Sequence, residues 1–161
     1  ILKANIIKVS IFKLSIIQMD IKLLFSGFFK LYFYWEILVI ISTSAVVINS
    51  FYSIITKKIF NFFDLRLTLF TLIFNYILFI IGIVVFIANF VLLFWDSDLT
   101  LIVPQNNILF GFTQHLLNLF SLLVITIGWS LHKKSTLDFK RFLRIFIFYL
   151  MGLIILIGKF L

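Results

Sequence analysis

Residues 67–95, LTLFTLIFNYILFIIGIVVFIANFVLLFW, contain no Asp, Glu, Lys or Arg. A helix rises about 1.5 Å per residue, so about 20 residues cross a hydrocarbon layer of about 30 Å. This run is longer than one crossing needs and is expected to tilt or to protrude as a helix. Working outward, 37–56 is a second charge-free run, bounded by Glu36 and by Lys57-Lys58. On the other side, 108–131 is a third, and 145–161 is a shorter fourth with Lys159 near its end, where a long side chain can snorkel. The predicted fold class is all-α, a single membrane domain over 1–161 built as a bundle of about four transmembrane helices at 37–56, 67–95, 108–131 and 145–161.

Residues 1–36 read differently. Lys3, Lys8, Lys13, Asp20, Lys22 and Lys30 interrupt an apolar background and scatter around a helix at 100° per residue. A charged group at mid-bilayer costs at least about 2.5 kcal/mol. The segment is therefore expected to lie in the interface or against a partner, and it makes a poor targeting peptide.

Composition sets the solvent. Hydrophobic residues make up 63% of the 161-residue chain and charged residues 12%, against roughly 45–50% and about 25% in soluble domains. A water-soluble fold of this size has too much surface for its volume to hide that excess. There is no cysteine, which excludes a disulfide framework, a thiolate metal site and a cysteine nucleophile. With His115 and His132 as the two histidines, no metal site and no bound cofactor are expected of this chain alone. The net charge of +8 sits mostly beside the apolar runs, which points to anionic lipid rather than to nucleic acid. Phe occurs 23 times and Pro once, a usage that fits an A+T-rich gene such as one in an organelle genome. Ile at position 1 fits a truncated chain as well as a non-standard initiation codon.

Loop charge predicts orientation. Lys57, Lys58 and Arg66 make the loop 57–66 basic, and Lys133, Lys134, Lys140, Arg141 and Arg144 do the same for 132–144. The loop between them carries Asp96 and Asp98 and no cation. Two spans separate the basic loops, so both are predicted on the matrix or cytoplasmic side. The N-terminal lysines then fall on the opposite side, against the rule, so residues 1–36 either include a poor extra span or are held by partner subunits.

Each run carries a stripe of polar and small residues, the groups through which helices associate in lipid. On the second, Thr68, Asn75, Gly82 and Asn89 recur every seven residues, with Thr71 beside them. Seven residues turn about 700°, so the four face nearly one way. On the third, Gly111, Gln114, His115, Asn118, Ser121 and Gly128 form a similar stripe, and the first has Ser42, Ala45, Asn49 and Ser53. The plain reading of these stripes is helix packing. The functional reading is the border of a proton or ion route, with Thr68, Asn75, Asn89, Gln114, His115 and Asn118 as its candidates. Glu36 is read as a carboxylate at a helix start, favoured by the helix dipole. His132 is expected at the membrane interface. Glycine-rich phosphate loops, nucleophile elbows and HExxH are absent, so the isolated chain is not expected to be an enzyme.

Part of the chain resembles chain 4L of NADH:ubiquinone oxidoreductase, complex I. That family has three transmembrane helices, with a basic matrix-side loop of the form Asn-Arg-Lys-Asn after the first. Thr56-Lys57-Lys58-Ile59 stands in the place of that loop. Leu67-Thr68-Leu69-Phe70-Thr71-Leu72-Ile73-Phe74-Asn75 is similar to the family's second helix, with Asn75 at its asparagine. Ser97-Asp98-Leu99-Thr100 resembles the Asp-Asp-Leu-Thr before its third helix, and Lys133-Lys134-Ser135-Thr136-Leu137-Asp138 the basic stretch after it. The resemblance covers roughly 36–138. It implies a small subunit of the mitochondrial inner membrane, packed among other membrane subunits of a respiratory complex and lipids, bordering the proton path during NADH:ubiquinone electron transfer. The family's membrane glutamates would fall at Thr68 and near Asn118, neither of which is acidic. Residues 1–35 and the fourth run have no counterpart. The alternative expectation is a structural or assembly subunit of cytochrome c oxidase or ATP synthase, with no transport role.

Overall fold

Inside a bilayer every backbone N–H and C=O must find its partner within the chain, and a helix achieves this residue by residue. In the computed structural model the chain forms α1 (Leu2–Ile55), α2 (Phe62–Trp95), α3 (Ile108–Lys133) and α4 (Asp138–Gly158). The structure describes residues 2–95 and 108–158, and of 2–22, 24–25, 88–95 and 108–112 it describes the helical backbone alone. No strand occurs among the described residues. Among the described residues four stretches are long and apolar enough to cross a membrane: Ser26–Ile55, Phe62–Ile87, Thr113–Lys133 and Asp138–Gly158.

The helices form a ring in which α1 packs against α2 and α4, and α3 against α2 and α4. Ring neighbours run antiparallel. Val39 of α1 shares a cluster with Leu156 of α4, while Val46 shares another with Tyr149. The buried positions follow one rule on every helix. On α1 they are Tyr32, Glu36, Val39, Thr43, Val46, Ser50 and Ser53, and on α2 Asp64, Thr68, Thr71, Asn75, Leu78, Gly82 and Val85. Steps of four and three alternate, which is the heptad seam of left-handed helix packing. The seams of α3 (Asn118, Ser121, Ile125, Gly128, His132) and α4 (Phe142, Ile145, Tyr149, Gly152, Leu156) keep the same spacing.

The polarity of this bundle is inverted relative to a soluble one. Its seams hold hydroxyls, amides, carboxylates and glycine, while Ile41, Ile48, Phe51, Phe70, Ile80 and Phe120 lie more than half exposed on the outer faces. Close packing there depends on the absence of side chains. A Cβ on Gly128 would run into Phe148, and one on Gly152 would come within 2.6 Å of Ile125.

Three helix limits differ from the sequence reading. The segment 1–36 is not set apart from the first span: α1 is continuous from Leu2 to Ile55, with no break at 37. A carboxylate turned toward neighbouring helices does not force a break, and Glu36 is turned inward. Second, α2 begins at Phe62 rather than 67, because Asn61 and Asp64 build a helix start. The Asn61 N–H donates to Asp64 Oδ2 at 3.0 Å, the side-chain-to-backbone half of a capping box, formed before the apolar run is reached. Third, α4 begins at Asp138 rather than 145. Asp138 favours the positive end of the helix dipole. Arg141 Nε donates to Ser135 O, and Arg144 Nη1 to Leu131 O, so two cations of the first turns close the end of α3.

Candidate functional site

The seams of α1, α2 and α3 bring polar side chains into a column along the bundle axis. Its first group is Asp64, only 1% exposed although it stands in the first turn of α2. Lys58 Nζ donates to Asp64 Oδ1 and Oδ2 at 3.0 and 3.1 Å, Asn49 Nδ2 to Oδ1 at 2.9 Å, and the Asn61 N–H completes the set. The carboxylate thus ties the end of α1, the turn and the start of α2. The turn itself closes when the Lys58 N–H donates to Ser53 O, with Lys57 in the left-handed region at φ 49°.

One turn further along α2, Thr68 Oγ1 donates to the Asp64 and Leu65 carbonyls. The Thr68 carbonyl in turn accepts from Tyr149 Oη at 2.9 Å, a bond across the bundle from α4. Thr71 Oγ1 reaches Ser42 O on α1, and Asn75 Nδ2 donates to Thr71 O. Ser121 Oγ of α3 donates to Gly152 O of α4 at 2.9 Å. Such bonds join helices at modest strength, about 0.6 kcal/mol each on average.

Toward the other end, Asn118 Nδ2 donates to Tyr32 Oη at 2.6 Å, again diagonally, from α3 to α1. His115 packs edge-on against Tyr32 and Phe86, with ring centroids 5.9 and 5.5 Å apart. Its imidazole fills the notch left by Gly82, where an added Cβ would stand 3.0 Å from Nδ1. Glu36, 4% exposed, follows Tyr32 by one turn on the same seam. Trp35 Nε1 donates to Phe74 O at 3.1 Å and fixes α1 against α2 beside it.

The residues singled out in the sequence are thus placed as follows. Thr68, Asn75 and Asn118 are buried on the seams, and Gln114 and His115 are half-buried. His115 and Asn118 meet at Tyr32, whereas Thr68 and Asn75 belong to the Asp64 end. Asn89 lies on α2 with its side chain outside the described residues. His132 stands in the last turn of α3, buried between the Phe60 and Trp129 rings, where the α1–α2 turn folds over the end of α3. Glu36 does not stand at a helix start. It lies inside α1, which runs unbroken from Leu2 to Ile55. The heptad of α1 was the signal for it: Glu36 keeps the four-three register with Tyr32, Val39 and Thr43. Asp64 was counted with a basic loop, and its tie to Asn61 three residues earlier was the signal there.

Among the described residues no group of three or more His, Cys, Asp or Glu side chains could hold a metal ion. Compared with protein families, with curated proteins and with solved structures, the chain has no match.

Proposed function

We propose that this protein is a small multi-pass subunit of a respiratory complex in the mitochondrial inner membrane, and that the complex is the NADH:ubiquinone oxidoreductase. In this reading it packs among larger membrane subunits and lipids, with its basic turns on the matrix side. Its interior borders a route for protons moved during electron transfer, while redox cofactors and quinone chemistry belong to other chains. The observation that carries the proposal is the polar column itself. Asn75, Asn118, Tyr32, His115 and Glu36 lie on inward-facing seam or half-buried positions within the membrane-length helices, where apolar side chains would be cheaper.

The test has two steps. Native membranes are solubilised gently, the complexes separated by size, and the assembly that holds this chain found by mass spectrometry. Co-migration with NADH dehydrogenase subunits is expected, and co-migration with cytochrome c oxidase or ATP synthase overturns the assignment. Replacing His115 or Asn118 with Leu should then lower proton translocation per electron while the complex still assembles.

One observation favours a second reading, a structural or assembly subunit without a transport role. Thr68, Asn75 and Ser121 spend donors on backbone carbonyls, which is what helix packing alone asks of them. In that case the same two substitutions cost assembly or nothing, and no specific pumping defect follows.

A further inference from the structure

All four helices start or finish at one end of the bundle, where the turn 56–61 joins α1 to α2 and the turn 134–137 joins α3 to α4. The segments 57–66 and 132–144 hold eight of the 14 Lys and Arg of the chain and two of its six Asp and Glu. Along the sequence they are separate basic loops. In the fold they become one surface. The Phe60 ring lies against the rings of His132 and Phe142, with centroids 5.8 and 5.1 Å away, and the Arg141 guanidinium stands 5.6 Å from the Phe60 centroid. The first turn is thus seated on the end of α3 and the start of α4.

Both carboxylates of this end are engaged, Asp64 with Lys58 and Asp138 with Arg141. Arg144 serves the Leu131 carbonyl. Lys57, Arg66, Lys133, Lys134 and Lys140 are exposed. Cations gathered in this way repel one another unless anions lie beside them. The surroundings say which anion. Ile55, Ile59, Phe62, Phe63, Leu137 and Phe139 are interspersed with these cations, each more than half exposed. A soluble polyanion would neutralise the charge and leave those side chains in water. The surface of a bilayer meets both demands, with phosphate at the headgroup level and acyl chain beneath it.

We infer that the two turns form one docking surface for the headgroups of anionic phospholipid, which the protein concentrates around its basic end. The inference goes beyond the proposed function. It needs the bundle to sit in lipid, and it holds for whichever complex the chain belongs to.

The test places the full chain in bilayer discs of equal parts phosphatidylglycerol and phosphatidylcholine, releases it into mild detergent, and counts the lipids it keeps by native mass spectrometry. Phosphatidylglycerol should be kept in clear excess, and equal retention of the two lipids overturns the inference. K57Q/K134Q/K140Q removes exposed lysines from both turns and should lower the excess at least about fivefold, the worth of one lysine near an anionic surface. K3Q/K8Q/K13Q changes the net charge by the same amount and should keep the excess. Equal losses in the two variants mean that total charge attracts the lipid, and the inference falls. K57Q and K134Q/K140Q should each lose part of the excess, and a loss confined to one turn dissolves the joint surface. A high-salt wash of the wild type should shrink the excess, because exposed charges are screened, and an excess indifferent to salt overturns the electrostatic basis. Inorganic phosphate at millimolar concentration should leave the lipid in place, whereas full displacement makes this a site for free anions. If the chain co-migrates with a different assembly, the complex I assignment fails and the lipid count stands or falls by itself.

Discussion

Asp64 and Glu36 are both buried carboxylates on helix seams, and they lie in opposite settings. At Asp64 the helix is only starting, so a backbone N–H is still free to donate, a lysine reaches in from the turn, and Asn49 comes from the end of α1. The cost of burying the charge is met by parts the fold has to place there anyway. At Glu36 the helix is well under way and its amides are engaged, so the carboxylate depends on side chains rather than on a helix end. Burial at a helix end therefore reads as architecture, whereas burial in mid-span needs a reason from function.

The largest effect should come from the end. Removing the carboxylate in D64A leaves the Lys58 ammonium, the Asn49 amide and the Asn61 N–H around an empty place. Loss of one partner from a buried ion pair costs about 3–5 kcal/mol, and the lower figure applies here because Lys58 is one-third exposed. Denaturation in detergent followed by circular dichroism reads it. E36Q, which keeps the shape and one acceptor, should cost under about 1 kcal/mol in the same assay. Equal losses in D64A and E36Q would erase the contrast and make both carboxylates anchors of the fold.

The glycines provide a second contrast. Gly128 and Gly152 sit where α3 and α4 touch, and a new Cβ meets Phe148 at its own Cβ or Ile125 at Cγ1, atoms close to the helix axes. G128V and G152V should each cost about 1–3 kcal/mol, since packed interiors accommodate extra methyl groups poorly. At Gly82 the obstacle is the far edge of the His115 ring, which can swing aside, so G82A should cost less than either. If G82A is the worst of the three, the His115 site is the more rigid end.

Smaller again are the two diagonal bonds, Tyr149 to the Thr68 carbonyl and Asn118 to Tyr32. Y149F and Y32F each delete one, at roughly 0.6 kcal/mol. They belong to different ends of the bundle, so the double variant should show the sum. Coupling between them would mean that the column behaves as one connected network.

Much of this was legible in the residues. Four apolar runs announce four helices, and Thr68, Asn75 and Gly82 at intervals of seven announce the inward face of α2, which the structure buries at all three positions. Helix limits were harder, for a physical reason. A run is bounded by eye at its first charge, but a helix is bounded by where its end groups are satisfied. Asp64, Asp138 and Arg144 are charges that begin helices or cap a neighbour, and Glu36 is one that a seam absorbs. Tyr32 and Tyr149 were missed because their bonds join helices that are diagonal in the ring, and nothing along one chain says which helix stands opposite.

The least effect is expected at Lys57, and it isolates backbone from charge. Lys57 holds φ at 49°, in the left-handed region, so that the Lys58 N–H can reach Ser53 O. A residue with a Cβ is strained there by about 1–2 kcal/mol. Glycine removes the strain but also widens the unfolded ensemble, at about 0.5–1 kcal/mol. K57G should therefore stabilise by no more than about 1.5 kcal/mol in the detergent assay. K57A loses the same charge and keeps the Cβ, so the difference between the two variants reports the backbone alone and should favour glycine by about that amount. If K57A and K57G fall together below the wild type, the ammonium of Lys57 outweighs the strain, and the basic turn is held by its charge rather than by its geometry.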